Sequence, residues 1–440
     1  MTQVHTHART AAHLRPKFHL RPPRGYLNDP NGPIEVGDDV HLYFQSRPTV
    51  DTHVPVEWGH ATSTDYVRWT VHRPAMAPEP GGPDTDGCWS GNTVLDDGRI
   101  RAFYSGRIDE RPYQSVLTAV SDDGGRSFGP ARQVIPDPVD DAIMFRDPFV
   151  WQENGSWWLA VGAGYAGRGA SILLYRSGDL RDWRYVGPLA ELPRGVVGGE
   201  DTGAAWECPQ LLTIDNRRIA VVASWSPEGG PAAVLSFDVD LPVTPQRVDH
   251  GTNFYAASAM RDSRFGPLLF GWLTEGRHRD GWDDWAGVIS LPRVVRLGAD
   301  SSLRSAPIPT VDTLRTGPGV PADGCTTGGQ CEIAVPDGSG RVIIHFGEHE
   351  RVVIELDADT LTIDRTEASR SPYADRDRMQ VSDAFDPASG RPAARIFLDG
   401  SVLEVFTSSG RVLSTRVYPT TPPTWHVEAP PNAHFWTLDR

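Results

Sequence analysis

Three acidic residues have the types and the spacing to do chemistry together. Asp29 lies in NDPNG, Asp147 in FRDPF and Glu207 in WECPQ. An ionised carboxylate beside a protonated one is what glycoside hydrolysis needs, since the first attacks the anomeric carbon and the second protonates the leaving oxygen. Each acid alone is more simply a turn or strand-end residue, because Asp-Pro and Asn-Gly pairs are common in loops. A catalytic role therefore requires a fold that brings the three together.

The neighbours of these acids bear on how such a cluster could exist. Three carboxylates near one axis repel one another unless a cation or a bound proton compensates. Arg146 precedes Asp147 and could pair with one of the acids. Trp206 and Cys208 flank Glu207 and give it apolar neighbours.

A repeat in the first part of the chain provides the elements that could position the acids. Five segments end in serine, with spacings of 58, 56, 59 and 54 residues: EWGHATS (57–63), SVLTAVS (115–121), SILLYRS (171–177), GPAAVLS (230–236) and DWAGVIS (284–290). An apolar, strand-length segment recurs in the same phase: VHLYFQS (40–46), IRAFYSG (100–106), WWLAVGA (157–163), IAVVASW (219–225) and LLFGWLT (268–274). Turn residues precede most of these segments, which is typical of β-hairpins.

A third recurring strand carries the acids. It contains LNDPNG, CWSGN, FRDPF, WECPQ and NFYAA, and it places one notable residue in each copy: Asp29, Trp89, Asp147, Glu207 and Tyr255. No amphipathic helix separates the copies. All-β units of this length cannot bury their faces alone, and radial repetition gives a β-propeller. We therefore predict an all-β fold with a five-bladed β-propeller over residues 17–308, whose inner strands carry the acids to a central funnel.

The chain changes character after the propeller. A Gly/Pro/Thr-rich stretch, TGPGVPADGCTTGG, predicts a linker over residues 309–328. Alternating strand segments then follow, joined by short turns: RVIIHF, RVVIEL, TLTIDR, ARIFLD, SVLEVF and VLSTRVY. Several short strands without the earlier repeat predict a C-terminal β-sandwich over residues 329–440.

Composition narrows the classes of partner. The chain has 440 residues and a net charge of −15, which argues against nucleic acid and against anionic membrane surfaces. No apolar run is long enough to span a bilayer. The N-terminal segment MTQVHTHARTAAHLRP lacks the apolar region of a signal peptide, so we expect a cytoplasmic enzyme.

Neither cysteines nor histidines indicate a metal site. Cys88, Cys208, Cys325 and Cys331 lack CxxC spacing, and free thiols are favoured, although Cys325 and Cys331 could close a small loop under oxidation. The HTH and GRHRD segments are interpreted as solvated. We expect no metal and no cofactor.

The motifs, taken as an ordered set, resemble glycoside hydrolase family 32, the invertase, levanase and inulinase group that acts on β-fructofuranosides. NDPNG, FRDP and ECPQ resemble its three signature stretches in order. WGHATSTDYVRW, DWAGVISLPR, RIFLDGSVLEVF and GRVLSTRVYP extend the resemblance over roughly residues 17–430.

The resemblance implies a role for each acid. Asp29 is the nucleophile that forms a covalent fructosyl-enzyme, Glu207 is the general acid and then the base, and Asp147 holds fructose hydroxyls. The implied substrate-binding residues are Asn28, Gln45, Trp58, Trp89, Ser90 and Arg146. Retention of configuration predicts that the Asp29 and Glu207 carboxyls lie about 5–5.5 Å apart.

Two departures from the family pattern leave substrate choice open. WSGN has Asn92 where the family has Ser, and NFYA has Asn253 where Asp is usual. The leading hypothesis is a retaining β-fructofuranosidase for sucrose or short fructo-oligosaccharides. The alternatives are a fructosyltransferase with the same acids, a non-catalytic sugar-binding propeller, and a five-bladed arabinan- or xylan-acting enzyme.

Overall fold

The computed structural model describes residues 12–111, 113–138 and 142–440. Four short 3-10 helices occur within these residues: Ala12–Leu14, Arg279–Gly281, Pro309–Leu314 and Pro387–Ser389. All other regular structure there is β. None of the helices in the described part of the chain is long and apolar enough to cross a membrane. The predicted lack of a signal peptide concerns a segment that mostly lies outside the described residues.

Five antiparallel β-units follow one another and form the blades of the propeller. The first blade has β1 (Gly25–Val36), β2 (Asp39–Arg47), β3 (Glu57–Ser63) and β4 (Thr70–Val71). The second has β5 (Gly87–Asp96), β6 (Arg99–Arg107), β7 (Ser115–Ser121) and β8 (Arg132–Ile135). The third has β9 (Ala142–Glu153), β10 (Ser156–Tyr165), β11 (Gly169–Ser177) and β12 (Arg184–Leu192).

The last two blades follow a short hairpin of β13 (Val196–Val197) and β14 (Glu200–Asp201). The fourth blade has β15 (Ala205–Ile214), β16 (Arg217–Ser226), β17 (Gly230–Asp238) and β18 (Gln246–Arg247). The fifth has β19 (Phe254–Met260), β20 (Leu268–Leu273), β22 (Val288–Ile289), β23 (Arg293–Leu297) and β24 (Leu303–Pro307), while β21 (Trp285–Ala286) leaves this sheet to join another blade.

The blades close into a ring. The inner strands β1, β5, β9, β15 and β19 are neighbours in that order, and β19 in turn lies beside β1. β21 also pairs in parallel with β1, through Gly25 with Trp285 and Tyr26 with Ala286. The five-bladed β-propeller expected from the sequence is therefore confirmed.

The recurring apolar segment forms the second strand of every blade, as predicted. The serine-ended segment forms the third strand in four blades only. In the fifth copy, DWAGVIS is divided between β21, which closes the ring, and β22, and the next strand of that blade is β23. Ring closure thus uses two residues of the segment that forms the third strand in the other four blades.

The segment after the propeller forms two six-stranded sheets. One sheet has the order β25 (Arg315–Pro321), β36 (His434–Leu438), β27 (Gln330–Val335), β32 (Ala394–Asp399), β33 (Val402–Thr407) and β34 (Val412–Arg416). The other has the order β26 (Thr326–Thr327), β35 (Trp425–Glu428), β28 (Gly340–His345), β29 (Arg351–Asp357), β30 (Thr360–Asp364) and β31 (Arg378–Val381). Apolar side chains of both sheets share one buried cluster, and the predicted C-terminal β-sandwich is confirmed.

Residues 309–328 differ from the expected linker. They contain β25, which pairs with β36, and β26, which pairs with β35, so the part from Arg315 onward belongs to the sandwich. The Gly- and Pro-rich composition is compatible with a strand here because β25 lies at a sheet edge, where a missing N–H breaks no ladder. Cys325 and Cys331 are free thiols.

A buried ionic network joins the two domains. Arg293 of the propeller donates to Asp249 at 2.7 Å and to Glu404 of the sandwich at 2.7 Å. His19 contacts Asp399 at 3.0 Å and Glu404 at 2.9 Å. Burial opposes ionisation of Glu404, but the charge of Arg293 and the contact with His19 lower the pKa of Glu404 to about 2.

Replacing the central cation of this network should destabilise the protein strongly. Arg293→Met leaves the carboxylates of Asp249 and Glu404 buried without their partner, which costs about 3–5 kcal/mol. Denaturant unfolding of the full chain measures the loss. The control is Arg351→Met, whose exposed pair with Glu367 contributes little, so a change within about 0.5 kcal/mol is expected. An equal effect of the two variants contradicts this account.

Candidate active site

One irregularity recurs in every inner strand and shapes the site. Each strand has one residue more than its partner strand over the same stretch, which is a β-bulge. The bulges lie between Leu27 and Pro30, Cys88 and Gly91, Arg146 and Phe149, Glu207 and Gln210, and Tyr255 and Ser258. A bulge bends its strand and re-aims side chains. The repeat therefore provides five bulges around one axis, and each bulge changes the direction of the side chains beside it.

The acids occupy three successive positions of this bulge. Glu207 is the residue before the bulge, Asp147 is the first residue within it, and Asp29 is the second. The three acids therefore do not occupy equivalent positions of their strands, although they recur at similar spacing along the chain. The backbone of Asp147 is left-handed, with φ of 63°, a conformation that costs energy and clusters at functional sites.

Asp29 is held by donors to both carboxylate oxygens. Asn28 donates to Oδ1 at 3.0 Å. Ser90 and Gln45 donate to Oδ2 at 2.7 and 3.2 Å. Burial raises the pKa of Asp29 and the charge of Glu207 adds to this, while the hydrogen bonds of Ser90 and Asn28 oppose it. The donors fix the orientation of the carboxylate and support its ionised form.

Glu207 has a cation on one oxygen and a hydroxyl on the other. Arg146 Nη2 lies 2.5 Å from Oε1, and the hydroxyl of Tyr255 donates to Oε2 at 2.6 Å. The guanidinium of Arg146 is 5.4 Å from the ring centroids of both Trp89 and Trp225. Aromatic rings on this cation fix its position and reduce its hydration.

Asp147 is the most enclosed of the three acids, with 4% of its surface exposed. Its Oδ2 accepts from the Cys208 backbone N–H at 3.0 Å, and its own N–H donates to Ser105 Oγ at 2.7 Å. Burial raises the pKa of Asp147 to about 7; Arg146 opposes the shift and the charge of Glu207 adds to it. The ligand-free site therefore retains a carboxyl proton near neutrality.

The thiol of Cys208 shows that the acids converge. Its Sγ lies 3.6 Å from Asp147 Oδ2 and 4.0 Å from Asp29 Oδ2. Glu207 is the adjacent residue in the chain. Three carboxyls from three blades thus lie around one point, together with the substrate-binding candidates Asn28, Gln45, Trp89, Ser90 and Arg146.

Trp58, which we expected at the wall of the site, lies behind it. Its side chain is fully buried and its Nε1–H donates to the carbonyl of Trp89 at 2.9 Å. It packs against Tyr43 and Tyr104, with ring centroids 5.7 and 5.9 Å away. Trp58 therefore supports the strand that carries Trp89 and Ser90.

The two departures from the family pattern are structural. Asn92 donates to the carbonyl of Val150 at 2.8 Å and accepts from its N–H at 2.9 Å, which joins the second blade to the third. Asn253 accepts from Thr415 and from the Arg416 N–H at 3.0 and 3.1 Å, at the boundary with the sandwich. The expectation that these side chains reshape the sugar site is not supported by their contacts.

Sequence reasoning missed three side chains of the site. Tyr255 had a sequence signal, because it is the notable residue in the fifth copy of the strand that carries the acids, but the sequence did not assign it a function. Trp225 lies in a recurring apolar strand, where a tryptophan is not distinguished from core. Ser105, the partner of the Asp147 N–H, has no sequence signal.

The described residues contain no group of three or more His, Cys, Asp and Glu side chains that could hold a metal ion. The carboxylates of the funnel are instead held by amide, hydroxyl, guanidinium and backbone N–H donors. Such a cluster, with one proton retained and two acids held by donors, is suited to attack on an acetal carbon and to proton transfer. Fold and site together define a glycoside hydrolase.

Comparisons with known proteins give the family. The model of the glycosyl hydrolases family 32 N-terminal domain matches residues 19–307, and that of the family 32 C-terminal domain matches residues 304–435. The chain belongs to glycoside hydrolase family 32, and the resemblance seen in its motifs is confirmed.

Individual relatives agree with this assignment. The chain is 29% identical to the sucrose-6-phosphate hydrolase of Bacillus subtilis over 92% of its own length and 89% of that protein. It is 31% identical to the raffinose invertase of Escherichia coli over the same shares. Among solved structures, a Bombyx mori family 32 β-fructofuranosidase superposes with a TM-score of 0.81 at 25% identity, covering 97% of this chain and 94% of that one.

Proposed function

We propose that this protein is a retaining β-fructofuranosidase that releases fructose through a covalent fructosyl-enzyme. The observation that carries the proposal is the cluster of Asp29, Asp147 and Glu207, each held by different donors, around Cys208. A sugar-binding propeller without catalysis does not require three buried carboxyls, which repel one another at a cost in stability.

The first step forms the covalent intermediate. A carboxylate oxygen of Asp29 attacks the anomeric carbon of the fructosyl unit while the bond to the leaving oxygen breaks. Glu207 in its protonated form gives that oxygen its proton, so the leaving sugar departs as a neutral alcohol. Asp147 accepts hydrogen bonds from fructose hydroxyls, which strengthen as positive charge develops on the ring.

The second step releases fructose. Glu207, now ionised, takes a proton from a water molecule whose oxygen attacks the anomeric carbon. The bond to Asp29 breaks, and its carboxylate is restored. Arg146 and Tyr255 support this step, because their contacts with Oε1 and Oε2 hold the Glu207 carboxyl in position.

The substrate is a short fructoside in this proposal. Relatives are named for sucrose 6-phosphate and for raffinose, and a Bombyx mori relative has been solved in complex with sucrose. A fructosyltransferase would use the same acids with a sugar hydroxyl in place of water. A cytoplasmic location and the absence of nucleic-acid and membrane partners stay predictions from the sequence.

A substrate panel tests the proposal. Purified protein is given sucrose, raffinose, 1-kestose, inulin and levan, and free fructose and transfer products are both measured. We expect fructose from the short substrates, with transfer products in the minority. No fructose from any of the five contradicts the enzyme assignment, and a majority of transfer products favours the fructosyltransferase.

The pH profile should have an alkaline limb near neutrality. Because burial raises the pKa of Asp147 to about 7, the proton that this carboxyl shares with the acid cluster is lost above that pH, and Glu207 can no longer draw on it for the leaving oxygen. On the acidic side, kcat/KM falls as Asp29 is protonated, at a pH above the usual aspartate range because its pKa is raised. Measuring kcat/KM for sucrose from about pH 4 to about pH 9 covers both limbs. A profile that stays flat to the alkaline end contradicts this account.

A further inference from the structure

We propose that a cavity between the propeller and the sandwich, lined by Lys17, Arg21 and Arg440, is a binding site for a small multivalent anion. The inference does not rest on the proposed function, because the cavity shares no residue with the carboxylate cluster of the funnel.

Three parts of the chain meet at this cavity. Its walls are residues of the segment 16–23, Trp69 and Val71 of the first blade, and Arg440, which follows the last strand of the sandwich. The cavity has a volume of about 280 Å³. Since small-molecule sites measure about 300–1,000 Å³, this volume suits a small ligand.

The charge of the lining is of one sign. Besides His19, which is paired with the buried acids of the domain boundary, the ionisable groups are those of Lys17, Arg21 and Arg440, and no described Asp or Glu lines the cavity. The whole chain, by contrast, has a net charge of −15, and Lys17 is its single lysine. Cations that share one cavity repel one another, and an anion between them removes that repulsion.

The carboxylates that act on Arg21 through their charge are bonded elsewhere. Asp399 is buried, and its oxygens accept from the backbone N–H groups of Lys17 and His19 at 2.7 and 2.9 Å. Asp284 forms an ion pair with Arg15. Within the described residues, none of the three lining cations has a carboxylate at ion-pair distance.

Arg21 is held in place with one donor group left over. Its Nε donates to the carbonyl of Pro16 at 2.8 Å, and its Nη1 donates to the carbonyl of Pro22 at 3.0 Å. The guanidinium lies 5.8 Å from the ring centroid of Trp285, in the strand that closes the propeller ring. No group of the described residues accepts from Nη2.

The charge of Arg21 is a cost in the ligand-free protein. Burial lowers the pKa of Arg21, and the charges of Arg15 and Arg440 act in the same direction. A partly buried cation without an anion is unfavourable, and an anionic ligand that accepts from Nη2 relieves the desolvation and the repulsion together.

Phosphate and carboxylate groups are the anions that fit this lining. Both accept charge-assisted hydrogen bonds from a guanidinium, and a ligand with several charges can contact more than one of the three cations. Apolar side chains complete the wall, since Phe18, Leu20 and Trp69 line the cavity and are 3%, 5% and 5% exposed. Bound there, the anion connects the first blade to the sandwich and stabilises the folded protein, because the unfolded chain has no such site.

The direct test is calorimetric titration of the intact protein with sodium pyrophosphate and, separately, with sodium citrate, at an ionic strength held constant with sodium chloride. We expect saturable binding of one anion per chain and a rise in the thermal midpoint that follows the same concentration dependence. The tighter of the two probes shows whether the natural ligand carries phosphate or carboxylate groups. Saturable binding of neither probe overturns the inference and leaves the proposed function intact.

A variant locates the binding at this cavity. Arg21→Gln should weaken binding of the tighter probe at least about tenfold, because it removes a charge-assisted hydrogen bond. Multivalent anions also stabilise proteins by exclusion from their surface, and that effect is the same in the parent and the variant. The matched control is Arg181→Gln, at an exposed position of the third blade, which should bind as the parent does.

A second variant tests the site without touching a partly buried residue. Lys17 is exposed, so Lys17→Gln should leave the fold intact and weaken binding by about twofold to fivefold, the contribution of an exposed charge. Equal affinity of the parent, the Arg21 variant and the Lys17 variant for both probes overturns the assignment of the site.

Discussion

Asp29→Ala is expected to abolish turnover, with a loss in kcat/KM on the order of 10⁴-fold or more, as for the removal of other catalytic nucleophiles. The variant retains Asn28, Gln45 and Ser90, the three donors that hold the carboxylate, but offers nothing that can bond to the anomeric carbon. Initial rates with sucrose at saturating and limiting concentrations measure the loss.

The same variant should keep its fold, which separates a lost nucleophile from a lost structure. Asp29 shares its cavity with two other carboxyls, and burial raises its pKa, so its ionised form is a cost to the ligand-free protein. We expect a thermal midpoint equal to or above that of the parent. The altered residue fits the cavity, because Ala is smaller than Asp.

A matched control is available in the same blade. Asp38 lies exposed in the turn between β1 and β2, so Asp38→Ala removes a carboxylate without touching the site and should leave kcat/KM unchanged. Activity of Asp29→Ala within about tenfold of the parent would show that another group is the nucleophile.

The architecture could be predicted because two features of the repeat are visible in the sequence: the apolar second strands and the serine-ended strands. The apolar second strands follow turn residues, and each of the five forms the second strand of a blade. The serine-ended strands open similar turns: the Oγ atoms of Ser63 and Ser177 accept from the N–H groups of Tyr66 and Leu180 at 2.8 and 3.0 Å. Such side-chain to backbone bonds are local, and local chemistry can be read from a sequence.

The parts of the fold that were not predicted depend on distant pairing. β25 lies in a Gly- and Pro-rich stretch that is typical of a linker, and it becomes a strand because β36, more than 110 residues later, provides its ladder. Likewise, DWAGVIS has the composition of a third strand, but the first blade takes Trp285 and Ala286 to close the ring.

The identities of the acids could be predicted from their motifs, but their geometry could not. A bulge adds one residue to a strand without a residue type that marks it, so the sequence does not reveal that Glu207, Asp147 and Asp29 stand at three different positions. The partners across blades, Ser105 for Asp147 and Tyr255 for Glu207, follow only from the closed ring.

Glu207→Gln is expected to separate substrates by the quality of their leaving group. The amide cannot give a proton to the leaving oxygen, and general acid catalysis typically contributes about 10²–10⁴-fold. Sucrose, whose leaving alcohol needs that proton, should lose most of this factor in kcat. An aryl β-fructofuranoside with an acidic phenol as leaving group should lose far less in its first step.

The release of the phenol is then faster than the second step, in which the amide cannot act as a base. A burst of phenol equal to the enzyme concentration should therefore precede a slow steady state, and this burst is the kinetic sign of a covalent intermediate. Rapid-mixing absorbance measurements detect it.

Glu191→Gln, at an exposed position of β12, is the matched control and should behave as the parent on both substrates. Equal losses in the rate of the first step on sucrose and on the aryl fructoside would contradict Glu207 as the acid, and would move that role to Asp147, whose raised pKa keeps a proton in the same cavity.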